Sequence, residues 1–301
     1  TPEDYSRPER FREAVQSRLG ERPDYIVEDK MWPKLFPAMQ HISKNTFVSR
    51  RAYMATGWLP DRDAFLLPNA PGAITKDGFD DSITFENPNA PPRLRQYGKF
   101  VQPNEHTEQA LEAILRCAPP QVIVPVLMQA IAAPMASLGT GNERTAIHLF
   151  GKTGSLKTSL ARVIMSLYGA FARKASDGID GFSGTTNFLE STLHQARDLP
   201  ALIDDYKVSL FARNDKHSII RLVQNYADGT ARGRLTRNQR QQPILAARGL
   251  LITTGEDMWD MQASSMARTL VVEVGDAASW KADLAKAQEY AVNGVMGSVG
   301  Y

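Results

Sequence analysis

The stretch Leu149-Phe150-Gly151-Lys152-Thr153-Gly154-Ser155-Leu156-Lys157-Thr158-Ser159 constrains this chain more than any other. Its apolar start reads as a strand, its glycines as a turn, and Lys157-Thr158 as the opening of a helix. Residues 159–167 continue that helix, with Leu160, Val163, Ile164 and Leu167 on one face. Strand, glycine loop and helix in direct succession imply a parallel sheet, because parallel strands need a crossover and a helix supplies it. A loop of this kind also aims backbone N–H groups and a helix N-terminus into one cavity, where they attract an anion.

The rest of the chain fits that architecture. Short apolar runs at 145–150, 201–204, 249–254 and 270–274 are candidate strands buried on both faces. Residues 107–138 read as helical, with Ala110, Leu111, Ile114 and Leu115 sharing a face, and residues 8–19 have helical spacing too. From about Asn45 to Phe100 the texture changes. Short runs such as Phe65-Leu66-Leu67 and Ile83-Thr84-Phe85 sit between Pro, Gly, Asn and Asp clusters, the pattern of a small β-rich module. A soft boundary falls at Gln102-Pro103-Asn104, giving an N-terminal helical and β-rich module over 1–102 and a larger α/β domain over 103–301. Only a short segment follows Val274.

Composition narrows the setting. With Cys117 as the single cysteine, no internal disulfide and no cysteine-rich zinc site can form, which fits a reducing, cytoplasmic setting. The longest apolar run, 122–138, is short for a membrane span and broken by Pro125 and Pro134, so no membrane partner is expected. The chain starts at Thr1 without an initiator Met and is expected to be a piece of something longer. The five histidines are scattered without metal spacing, and the tryptophans are expected as core anchors.

The chemistry gathers at the strand ends. In the loop, Gly151 and Gly154 give the backbone freedom, Lys157 would reach the β- and γ-phosphates of a nucleotide, and Thr158 would hold Mg²⁺ through its hydroxyl. Leu156 stands where such loops usually have glycine; a negative φ there would let its side chain turn outward. The run Leu199-Pro200-Ala201-Leu202-Ile203-Asp204-Asp205 ends a buried strand in two acids, which is costly unless they face a cation or a site. Asp204 would join the Mg²⁺ shell and Asp205 would orient or deprotonate the attacking water. Thr254, with Thr253 as the near alternative, tips another buried strand and can hydrogen-bond the γ-phosphate or the water. Arg268 stands before the last strand, where it could reach a neighbour's γ-phosphate.

The order 151–158, 201–205, 250–254, Arg268 resembles Walker A, Walker B, sensor 1 and arginine finger of an AAA+ ATPase. The tandem Asp204-Asp205 resembles the superfamily-three helicases, and Ser264-Ser265-Met266-Ala267-Arg268 is similar to the arginine-finger element of MCM helicases. Thr56-Gly57-Trp58, Ser183 to Glu190 and Thr254-Gly255-Glu256 are similar to the helicase-like domain of phage, plasmid and genomic-island replication proteins. The resemblance implies an α/β P-loop NTPase fold, an AAA+ core whose parallel sheet is flanked by helices, with the β-rich module before it and the C-terminal lid reduced or absent. It further implies an ATP-hydrolysing DNA helicase or translocase working as a homo-oligomeric, expectedly hexameric, ring. ATP would lie on Gly151, Thr153, Gly154, Ser155, Leu156, Lys157, Thr158 and Ser159, and Mg²⁺ on Thr158 and Asp204. Lys157, Asp205, Thr254 and Arg268 would act in catalysis. The alternatives are an ATP-driven loader or assembly switch without unwinding, and a non-hydrolysing DNA-binding module.

A basic insert is expected to supply the DNA contact. Arg232, Arg234, Arg237 and Arg240 lie in 229–243 with no acidic residue among them. Clustered guanidiniums bind phosphates without reading sequence, which suits single-stranded or forked DNA. The net charge of +2 is compatible with this, because a ring would concentrate such loops at one axis.

Overall fold

The computed structural model describes residues 31–43, 50–61, 63–88, 90–99, 101–135, 138, 145–172, 179–210, 213–230, 247, 249–259 and 266–300. The expected helix at 8–19 and the arginine insert lie outside them. The chain divides into two compact units at Ala52/Tyr53, whereas composition places its boundary near 102–104. The first unit's described part is α1 (Trp32–Ser43), which carries Pro37. The strand β1 (Arg51–Tyr53) straddles the division.

The second unit holds two sheets. The smaller is antiparallel, in the order β2 (Gly57–Trp58), β3 (Ala64–Leu66), β4 (Ala73–Thr75), β5 (Gly78–Asp80). Trp58, Phe65, Ile74 and Phe79 are register partners across all four strands and so share one face. Ala64, Leu66 and Ala73 alternate to the other face, where they pack with Leu59 and with Ile83 of β6 (Ile83–Phe85). The segment Thr56-Gly57-Trp58 ties this sheet to the larger one. Thr56 Oγ1 donates to the Gln195 carbonyl at 2.9 Å, the Trp58 amide to Asp198 Oδ2 at 2.9 Å, and Trp58 Nε1 to the Pro134 carbonyl at 2.7 Å.

Residues 107–138 are not one helix. They form α2 (Thr107–Arg116), α3 (Pro120–Ala132) and a short 3₁₀ turn at Ala133–Met135. Pro119 is extended, at ψ 143°, as expected for a residue before a proline, and Pro120 then opens α3 at the one helical turn that tolerates it. The buried face of α2 is also narrower than expected. Ala110, Ala113 and Ile114 are buried, while Leu111 and Leu115, one residue further round, are 44% and 48% exposed.

The larger sheet is wholly parallel, in the order β11 (Thr269–Glu273), β7 (Ala146–Phe150), β10 (Leu250–Gly255), β9 (Pro200–Tyr206), β8 (Asp180–Gly181). Helices α4 (Lys157–Met165), α5 (Thr186–Gln195) and α6 (Arg213–Ala227) connect these strands. Leu160, Val163 and Ile164 of α4, with Leu167 beyond its end, are buried in the core. Thr185 caps α5, its hydroxyl accepting the Phe188 amide. After β11, α7 (Lys281–Val292) packs on α2 and α4, and α8 (Val295–Gly300) packs on α2 and α7. Trp259 and Trp280 are core residues. No helix among the described residues is long and apolar enough to cross a membrane.

Candidate functional site

The strand order fixes where the polar residues meet. β10 lies between β7 and β9, so the glycine loop after β7, the Thr253-Thr254 tip of β10 and the acids of β9 converge at the carboxyl edge of three neighbouring parallel strands. Ligand crevices of open α/β sheets lie at that edge.

The loop is shaped by its backbone. Gly154 has φ +82° and a Cβ there would meet open space, so the glycine serves conformation and leaves the cavity clear. Leu156 does not take the negative φ that would turn its side chain outward. It precedes α4 at φ 63°, ψ 20°, in the left-handed region, and no side chain caps the helix start. A leucine held there costs about 1–2 kcal/mol, and its half-buried side chain packs against the core. Lys157 curls back into the loop: its Nζ donates to the carbonyls of Gly151 at 2.7 Å and Lys152 at 2.9 Å, and to Ser155 Oγ at 3.2 Å. Burial pulls its ammonium below the ordinary lysine value, and the carboxylates of Glu256, Asp204 and Asp205 oppose that pull. Ser159 is half-buried in the first turn of α4.

Opposite the loop stand the acids. Thr158 Oγ1 donates to Asp204 Oδ1 at 2.8 Å, and Thr254 Oγ1 donates to the same oxygen. The Asp205 amide in turn donates to Thr254 Oγ1 at 3.2 Å. In a regular strand, adjacent residues face opposite ways. Here Thr253 pairs with Ile203 but Gly255 with Tyr206, so β9 carries one extra residue opposite β10. That bulge coincides with Asp205 at φ 65° and lets both acids sit at one strand tip. Thr253 faces away from them: its hydroxyl meets His148 Nδ1 at 2.9 Å and the Ile147 carbonyl at 3.1 Å.

Three residues to which the sequence reading gave no role join the site. Thr153 Oγ1 donates to Glu256 Oε1 at 2.6 Å; Lys207 Nζ lies 3.0 Å from that same oxygen and 3.2 Å from Asp205 Oδ1. Lys207 follows β9 directly, two residues after Asp205. Glu256 follows the tip of β10 directly. The third is His148, fully buried beneath the site. Burial lowers its pKa to about 4, so its ring is neutral. Its Nε2–H donates to the Asp257 carbonyl at 2.9 Å, leaving Nδ1 as an acceptor that shares the single Thr253 hydroxyl proton with the Ile147 carbonyl. Phe150, Tyr206 and Trp259 surround the ring, with Tyr206 and Trp259 stacked at 4.9 Å.

Arg268 stands apart. Its carbonyl accepts the Ala146 amide at the start of β7, while the loop leaves the other end of that strand. At ~3.3 Å per residue the five-residue strand separates the two by about 17 Å. Its guanidinium pairs with Asp228 at 2.6 Å, both side chains being nearly half exposed. Among the described residues no cluster of three or more His, Cys, Asp or Glu could hold a metal ion. Thr158 and Asp204 still offer two hard oxygens together, the set that suits Mg²⁺, which takes one or two carboxylates and completes its shell with water and substrate phosphates.

Residues 27–244 match the model of a family described as a domain of unknown function, DUF927. No curated protein matches the sequence. Among solved structures, the chain is similar to an active helicase, Cch of SCCmec type IV, at 15% identity and a TM-score of 0.64, over 97% of this chain and 53% of that one. It is more weakly similar to inhibitor-bound JCV helicase, at 19% identity and 0.41 over 66% of this chain and 52% of that one. The apo C-terminal region of NrS-1 matches at 13% identity and 0.41, over 89% of this chain and 60% of that one. The chain thus spans about half the length of the helicase chains it matches. The Cch likeness shows a helicase-like fold; the two weaker ones add nothing to it.

Proposed function

The chain belongs to the DUF927 family, and from that premise we propose that it is the ATP-hydrolysing core of a DNA helicase or translocase of a mobile-element replication protein. The observation that carries the reading is the meeting of Lys157, Thr158, Asp204 and Thr254 at the carboxyl edge of adjacent parallel strands. Leu156 adds to it: a left-handed conformation kept at a cost, by a residue unsuited to it, marks a loop whose shape matters.

ATP would lie with its phosphates on the loop from Gly151 to Ser159, against the uncapped start of α4. Lys157 would exchange its loop carbonyls for phosphate oxygens. Thr158 and Asp204 would hold Mg²⁺, which when bound neutralises charge on the β- and γ-phosphate oxygens. Thr254, already bonded to both acids, would keep them in place. Water's oxygen bonds to the γ-phosphorus, the bond to the ADP oxygen breaks with its electron pair, and the water proton passes to Asp205. Arg268, at the opposite end of β7 from its own loop, would serve the site of a neighbouring copy, so hydrolysis would depend on ring assembly. Arg232, Arg234, Arg237 and Arg240 would grip the DNA backbone in the ring.

Phosphate release with and without single-stranded DNA tests this in the parent chain, Lys157→Ala and Arg268→Ala. Both variants are expected to lose most turnover, and mixing them should restore part of it, because one copy supplies the lysine and its neighbour the arginine. Parental turnover in both variants would refute the assignment.

A further inference from the structure

We propose that Lys207 is a positioning residue that couples occupation of the glycine loop to Asp205, with Glu256 as its counter-charge. This rests on the nucleotide-site reading above. Three contacts form one chain across the site, from Thr153 to Glu256, Glu256 to Lys207 and Lys207 to Asp205. Its first member belongs to the loop, and its last is the acid placed to take a proton from water.

One oxygen, Glu256 Oε1, accepts from the Thr153 hydroxyl and from Lys207 together. A carboxylate is thereby held on the loop, where phosphates would lie. The contacts leave their mark on both groups: the Thr153 hydroxyl and then Lys207 hold the Glu256 carboxyl below its ordinary range, and hydrogen bonds to Glu256 and Asp205 hold Lys207 above its own. An ammonium 3.2 Å from Asp205 Oδ1 also takes up one acceptor position of the carboxylate and lowers its basicity toward a water proton.

An incoming triphosphate changes this arrangement through charge alone. It repels Glu256 from Thr153, and it offers Lys207 a more concentrated negative charge than the two carboxylates do. Lys207 then follows the phosphate and Asp205 is left free to accept. Lys207, Glu256 and Asp205 are 30%, 34% and 57% exposed. Pairs so wetted bind weakly and exchange partners at little cost, as a coupling device requires.

The full chain tests this in two measurements: equilibrium binding of a slowly hydrolysed ATP analogue with Mg²⁺, and turnover at saturating ATP. Glu256→Gln keeps the acceptor for Thr153 and removes the charge, so it should bind the analogue about 3- to 10-fold more tightly. Lys207→Ala frees Asp205 but also loses the ammonium that moves onto the phosphate, so it should lower turnover at saturating ATP by at least about tenfold, well beyond its effect on affinity, and Lys207→Arg should recover part of the loss. Unchanged or weaker binding in Glu256→Gln, or parental turnover in Lys207→Ala, would overturn the coupling. Lys157→Ala serves as the control: if it abolishes binding while Glu256→Gln and Lys207→Ala behave as the parent, the coupling alone is refuted. If Lys157→Ala binds as the parent does, the nucleotide-site reading itself is refuted.

Discussion

Substitutions at Leu156 separate backbone strain from packing. The residue sits at φ 63°, ψ 20°, where an L side chain crowds the following carbonyl at a cost of about 1–2 kcal/mol. Glycine escapes that cost but gains freedom in the unfolded chain, which offsets about 0.4–1 kcal/mol. The leucine side chain is half-buried against the core. Full burial of leucine contributes roughly 1.5–3 kcal/mol, so losing half of it costs about 1 kcal/mol. For Leu156→Gly these effects nearly cancel, leaving stability within about 1 kcal/mol of the parent. Leu156→Ala loses much of the packing and keeps the strain, so it falls about 1 kcal/mol lower than the parent. Leu156→Val forces a β-branched side chain into the same region and falls furthest. Thermal unfolding at one pH should rank the variants Gly, Ala, Val, and at this chain size each kcal/mol moves Tm by roughly 2–4 °C. An alanine variant as stable as the glycine variant would refute the strain at 156.

Burial lowers the His148 pKa from 6.5 to about 4. Between those values the unfolded chain binds a proton that the native state refuses, so stability is full above pH 6.5 and declines by up to about 3 kcal/mol as pH falls to about 4. Denaturant melts across that range should show the decline, and His148→Gln should flatten it. Gly57→Ala would place a Cβ 2.3 Å from Asp198 Oδ2 and 2.4 Å from the Arg197 carbonyl, at φ +89°. It should cost more than about 2 kcal/mol and speed amide exchange in β2 to β5, since the small sheet docks there. The Cys117 thiol is fully buried and pushed up to about 12. It should stay inert to a thiol reagent in the native protein and react at once on unfolding.

Regular elements were legible where one physical rule decided them. The buried runs of β7, β9, β10 and β11 and the inward face of α4 follow from hydrophobic pattern alone. The helical reading of 107–138 holds for α2 and α3, but the break between them falls at Pro119-Pro120, where backbone sterics override the apolar pattern. Helical spacing puts Ala110, Leu111, Ile114 and Leu115 on one face, but α2 turns Ala110, Ala113 and Ile114 to the core and leaves the two leucines at its margin. Within the site, residue types at strand ends pointed to Lys157, Thr158, Asp204 and Thr254, and these side chains lie together. Which of Thr253 and Thr254 faces the acids depends on strand register and a bulge, which no local pattern encodes. The sign of φ at Leu156 was hidden for a similar reason, since neighbouring elements impose it against the residue's own preference. Glu256, present in the sequence reading only as the end of the Thr254-Gly255-Glu256 motif, and Lys207 acquire a place in the site only when two strand ends bring them to Thr153 and Asp205.

The central claim is that the loop from Gly151 to Ser159 holds a nucleoside triphosphate through Lys157. Equilibrium binding of a fluorescent, slowly hydrolysed ATP analogue, titrated with and without Mg²⁺ into the parent chain and Lys157→Ala, tests it most directly. The account predicts saturable, Mg²⁺-strengthened binding to the parent and at least tenfold weaker binding to Lys157→Ala, about 1.4 kcal/mol or more. Equal affinity of the two proteins, or no binding to the parent at millimolar analogue, would contradict it.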